Sequence, residues 1–193
     1  DLTGGNNDNT PRIAQLYIEG KGYDVAPNLT FWVGRRFYHR ADVHMDDSFY
    51  VMGGLQGSTG AGVDTIDVGF GSLGVAVFRN NDAAANGNPG NLLNLDLQGI
   101  NVNPGGKLRV TTSFTKFSGA NGKNGAGISV QHNQANVFGA ENTAWLQWSK
   151  GSTWLDMGFA GGTQDSNYKR WRIADSLAWL KGPLTAQTLI HYG

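Results

Sequence analysis

The chain contains no cysteine, which removes disulfide frameworks, thiolate catalysis and cysteine-based zinc sites together. Proline is scarce at 5 of 193 residues, while glycine reaches 29 and aromatics 11%. That balance favours a turn-rich β protein over a helical one. Net charge is absent as well, with 15 Lys+Arg against 15 Asp+Glu. No global field draws the chain to nucleic acid or to an anionic surface, so no nucleic-acid partner is expected and any electrostatic function is local. No apolar run approaches the roughly 18 residues of a transmembrane helix. Membrane barrels stay open, because their strands need only about 9–11 residues, apolar at alternate positions.

What is present is alternation, recurring along nearly the whole chain. Leu29, Phe31 and Val33 oppose Asn28, Thr30 and Trp32; Leu93, Leu95 and Leu97 oppose Asn94, Asp96 and Gln98. Leu108, Val110 and Phe114 oppose Lys107, Arg109, Thr111 and Ser113, and Ile128 and Val130 oppose Ser129, Gln131 and Asn133. Ala144, Leu146 and Trp148 oppose Thr143, Trp145 and Gln147, and Leu155, Met157 and Phe159 oppose Trp154, Asp156 and Gly158. The pattern predicts about eleven strands. Hairpin-sized turns such as Asn103-Pro104-Gly105-Gly106, Gly139-Ala140-Glu141, Lys150-Gly151-Ser152 and Lys181-Gly182-Pro183 separate them. Longer polar loops, Arg40 to Gly62, Asn80 to Asn91, Ser118 to Gly125 and Gly161 to Tyr168, alternate with these turns. Tight turns at one end and long loops at the other are what a transmembrane barrel requires. A soluble β-sandwich shares the alternation, but bulky Trp32 and Trp145 beside Arg36 and Gln147 suit a wet lumen better than a plain solvent face.

The segment Phe31 to Phe70, FWVGRRFYHRADVHMDDSFYVMGGLQGSTGAGVDTIDVGF, joins two such strands through a loop dense in Arg, Asp, His and aromatics. A loop this long, without secondary structure of its own, is uncommon unless it has a job. The residue types suggest holding something polar and ringed. A polar ringed ligand sheds water from its hydroxyls at a cost of about 1–3 kcal/mol for each group left unsatisfied, and guanidinium and carboxylate groups replace that water.

The stretches FWVGRRFYHRADVHM and GAGVDTIDVGFG, with INVNPGGKL at Ile100 to Leu108 and GAGISVQH at Gly125 to His132, resemble the maltoporin family of sugar-specific outer-membrane porins. The resemblance runs from about Pro11 onward. It implies an all-β, antiparallel up-and-down transmembrane barrel, with residues 1–193 part of a single barrel domain and residues 40–62 folded inward as a constriction loop. The family closes eighteen strands from a chain about twice this length, so the segment is expected to be the middle of a larger barrel. The polar opening Asp1 to Thr10 and the ending at Tyr192-Gly193, without a terminal aromatic, are read the same way. Carried over by position, Arg12, Arg40, Asp42 and Asp47 match sugar-contacting ionic residues, and Phe49 falls at a constriction tyrosine, keeping the ring without the hydroxyl. A stacking phenylalanine of the family aligns with Ala140, with Phe138 two residues away. The implied function is facilitated diffusion of maltose and maltodextrin-type oligosaccharides through the outer membrane of a Gram-negative bacterium by a homotrimer in contact with outer-membrane lipid. A sucrose or other oligosaccharide porin, a weakly selective general porin and a soluble sugar-binding β module are the alternatives.

Catalysis is not expected. Ser48, His44 and Asp47 have triad composition, but they crowd one loop and no GxSxG elbow is present. His44, Asp46 and Asp47 make a weak metal signal, lacking fixed geometry. No metal and no cofactor are expected.

Overall fold

The computed structural model describes residues 13–43, 48–53, 58–80, 89–118, 123–160, 167–181 and 184–193. Among these residues every regular element is a β-strand. In chain order they are β1 (Leu16–Tyr23), β2 (Ala26–Arg35), β3 (Tyr38–Val43), β4 (Ser48–Gly53), β5 (Thr59–Asp67) and β6 (Ser72–Asn80), then β7 (Gly90–Asn103), β8 (Gly106–Phe117), β9 (Asn124–Val137), β10 (Ala140–Gly151), β11 (Lys169–Lys181) and β12 (Leu184–Tyr192). Ten of them form one sheet in the order β1-β2-β5-β6-β7-β8-β9-β10-β11-β12, and β3 and β4 pair only with each other. All pairings are antiparallel between neighbours. This is the up-and-down connectivity of a barrel wall, seen here as an open ten-stranded part of one.

The connections alternate strictly. Asp24-Val25, 68–71, Pro104-Gly105, Phe138-Gly139 and 182–183 are short; 36–58, 81–89, 118–123 and 152–168 are long. Phe138 and Gly139 carry φ values of 52° and 77°, the positive pair that a primed two-residue turn requires. Two sequence expectations change. The long loop after β2 has secondary structure of its own, the hairpin β3–β4. The alternating run Leu155 to Phe159 is no sheet strand: β10 continues through Gly151, and the chain then doubles back in a tight fold with a single bridge between Thr153 and Phe159.

The two faces of the sheet are inverted relative to a soluble protein. Asn94, Asp96, Thr111, Ser113, Ser129, Gln147 and Ser149 are buried, whereas Val33, Val77, Phe114, Leu146 and Ile173 are each at least half exposed. The outward side chains run in cross-strand rows. One follows Phe31, Val63, Val75, Leu95, Thr112, Ile128, Trp148 and Trp171 through successive register partners. A continuous apolar belt of this kind is a liability in water and the normal outer surface of a barrel in lipid. The sandwich alternative fails on the same ground, since no second sheet covers the apolar face among the described residues. What lies on the polar face is the hairpin.

Candidate functional site

The hairpin is carried across the polar face from one side of the sheet to the other, and its two strands are anchored differently. Tyr38, at the start of β3, packs with Trp32, Ala76, Phe78, Leu92 and Phe117, its ring 5.1 Å from that of Trp32 and 5.6 Å from that of Phe78. Its hydroxyl donates to Asp64 Oδ1 at 2.6 Å. His39 lies stacked on Tyr38 with 3.9 Å between ring centres and meets Asp96 Oδ2 through Nδ1 at 2.7 Å.

Asp96 is the centre of this anchor and is fully buried. Arg109 engages it with both arms of the fork, Nε to Oδ1 and Nη2 to Oδ2, each at 2.8 Å, and Nη2 also donates to the His39 carbonyl at 2.6 Å. Thr111 Oγ1 donates to Oδ1 at 2.8 Å and Gln98 Nε2 to Oδ2 at 2.5 Å. Sheet register supplies the wall members of this cluster. Asp96 and Thr111 are directly paired across β7 and β8, and Arg109 lies two residues earlier on β8, on the same face. Gly74 completes the arrangement. A Cβ there would sit 2.6 Å from the Tyr38 hydroxyl and 2.7 Å from Asp64 Oδ1, so a larger residue would push the hairpin off the wall.

The second anchor uses rings and amides. Tyr50 on β4 is fully buried, stacks on Trp145 of β10 at 4.4 Å, and its hydroxyl bonds His191 Nδ1 on β12 at 3.1 Å. The guanidinium of Arg172 lies 4.1 Å from the centre of the Tyr50 ring, and Arg172 Nε donates to Gln147 Oε1 at 2.8 Å. The Gln147 side-chain amide in turn donates to the Tyr50 carbonyl, and to Leu155 O at 3.0 Å. The residues after β10 therefore belong to the site. Met52 N donates to Asp156 O at 2.6 Å, Met157 is fully buried and Phe159 joins the core around Tyr38. Burial pushes the Asp156 carboxyl up to about 6, against the opposing pull of the Gly158 N–H and the Arg172 charge.

The residues expected to contact ligand fall as follows. Arg40 lies on β3 with its guanidinium 3.3 Å from the Phe37 ring centre and 4.6 Å from that of Phe49. Asp42 is the register partner of Phe49 across the hairpin; its side chain, and all of Arg12 and Asp47, lie outside the described residues. Arg40 and Phe49 are thus brought together as a cation on a ring, with Asp42 at the same level of the hairpin. Ala140 is buried at the start of β10, and Phe138 is 90% exposed in the short turn before it. Trp32 and Trp145, on the polar face, are covered by Tyr38 and Tyr50 of the hairpin.

Sequence reasoning missed His39, Asp64, Asp96, Arg109, Tyr50, Gln147 and Arg172 as the side chains that hold the hairpin. The alternation did put Asp96, Arg109 and Gln147 on the polar face, which was the signal available. It also missed a polar recess of about 320 Å³ beside Arg109, lined by Gln98, Lys107, Gln131 and Asn133. Gln131 Nε2 donates to Asn133 Oδ1 at 2.9 Å, while its buried Oε1 has no protein partner. Among the described residues no group of three or more His, Cys, Asp or Glu side chains could hold a metal ion. The whole chain, residues 1–193, matches the protein-family model described as LamB porin.

Proposed function

The chain belongs to the LamB porin family, and from that premise we propose that it passes maltose and maltodextrin-type oligosaccharides by facilitated diffusion, with the β3–β4 hairpin as the constriction. Membership makes it a sugar porin of the outer membrane, crossing by strands. The finer reading rests on one observation: a hairpin carrying Arg40, Asp42 and Phe49 covers the polar face of a sheet whose other face is an apolar belt. In this reading the Arg40 guanidinium and the Asp42 and Asp47 carboxylates, together with Arg12, exchange hydrogen bonds with sugar hydroxyls in place of water. Phe49 offers its ring to the apolar face of the sugar. Binding stays weak because conduction needs release as well as capture; a Kd near 1 mM corresponds to only about 4 kcal/mol. A homotrimer in a Gram-negative outer membrane completes the proposal.

Liposome swelling across a panel of sugars tests the substrate class. Maltooligosaccharides should enter faster than non-sugar solutes of equal size. Faster entry of sucrose would assign the channel to that sugar, and equal rates for all solutes would make it a general diffusion pore.

A further inference from the structure

The outward face carries one feature that sugar conduction does not use. Near the long connections 81–89 and 118–123, three polar side chains stand in one cross-strand row on the apolar side of the sheet: Arg79, Asn91 and Lys116, successive register partners on β6, β7 and β8. All three are exposed, and Arg79 Nη1 donates to Asn91 Oδ1 at 3.0 Å. Two residues toward the middle of the sheet, roughly 7 Å away, the same strands present Val77, Leu93 and Phe114, again in register. The two rows line one groove of about 750 Å³, and no acidic side chain is among its described lining residues.

We propose that this groove binds a phosphorylated lipid of the outer leaflet, with its phosphate on Arg79 and Lys116 and an acyl chain along Val77, Leu93 and Phe114. The boundary between headgroup and hydrocarbon falls between the two rows. Strands lie about 4.8 Å apart, so β6 and β8 hold the two cations roughly 10 Å from each other, a span that two long side chains close around one phosphate. Arg79 offers a planar fork of N–H donors, oriented by Asn91, and Lys116 a mobile ammonium. The leaflet follows from the connections: the long loops of such barrels are extracellular and the tight turns periplasmic. The site is independent of the sugar path, because these side chains point away from the hairpin.

The test is native mass spectrometry of the complete protein in detergent, titrated with bis-phosphorylated lipid A and with its fully dephosphorylated form. The phosphorylated lipid should be retained and the dephosphorylated one lost, and the double substitution Arg79→Gln, Lys116→Gln should weaken retention roughly tenfold or more while sugar block of ion current stays unchanged. Equal retention of the two lipids by the unsubstituted protein, or equal retention of the phosphorylated lipid by the folded double variant, would overturn the proposal. Val77→Cys, compared with the unsubstituted protein under the same oxidising conditions, gives a further check. Disulfide-linked subunits would show that this face is buried against a second copy and would remove the lipid from it.

Discussion

The two ends of the hairpin solve the same problem with different chemistry. β3 is fastened by charge, through a fully buried Asp96 gripped by Arg109 and His39, whereas β4 is fastened by the Tyr50–Trp145 stack, the Gln147 amide and the Arg172 cation on a ring. A buried ion pair is costly to break, because losing one partner strands the other in a poor solvent. A stack surrounded by single hydrogen bonds loses them piecemeal. The β3 end should therefore behave as the fixed root of the hairpin and the β4 end as its adjustable side, the more so since β4 shares its hydrogen bonds with the segment around Asp156.

Asp96→Ala should have the largest effect, destabilising the protein by about 3–5 kcal/mol through the uncompensated Arg109, as read by chemical denaturation in detergent. Ion conductance should rise as the hairpin leaves the wall. A loss under 1 kcal/mol would mean that Arg109 finds water or another partner, and the contrast between the ends would collapse. Tyr50→Leu comes next. It removes the stack and the His191 bond while keeping much of the volume, and about 2 kcal/mol is expected; conductance noise should increase more than mean conductance does.

Those two substitutions probe positions that the sequence exposed unequally. Alternation assigned Asp96, Arg109, Thr111, Gln131 and Gln147 to the polar face correctly, because each lies in a long strand whose period of two is enforced by lipid on one side. It could not pair Asp96 with His39, 57 positions away in sequence, since that contact is made by the hairpin crossing the sheet and not by ladder register. The hairpin itself was hidden because Tyr38 to Gly53 has little alternation; its strands are short and are covered by wall side chains on terms that no period records. The run Leu155 to Phe159 misled in the opposite sense. Its alternation comes from a tight doubled-back segment whose residues, Met157 and Phe159 among them, pack onto the polar face. The proposed ligand contacts Arg40, Asp42 and Phe49 were legible only through family resemblance, for charges on a loop have no pattern of their own.

The Asp156 carboxyl is raised from 3.8 to about 6, so the folded arrangement favours its protonated form. The stabilisation is fully present below 3.8 and is lost as pH rises through about 6. Hydrogen exchange of the Met52 amide should quicken across that window, after correction for the intrinsic pH dependence of exchange. Asp156→Asn should flatten the profile, and a profile equally steep in that variant would assign the change to another group. The smallest effect is expected at Phe49. Phe49→Tyr adds a hydroxyl worth about 1 kcal/mol if a sugar or Arg40 takes it up, so the sugar block constant should shift by no more than about tenfold, with conductance unchanged.

The hairpin, held in place by its charged root, is the proposed narrow point through which sugar passes. The most direct measurement is the ion current through single channels in a planar bilayer, with and without maltooligosaccharide, for the unsubstituted protein and for Asp96→Ala. This arrangement should give reversible sugar block in the first, and higher conductance with weakened block in the second. Identical conductance and identical block in a folded Asp96→Ala channel would contradict it.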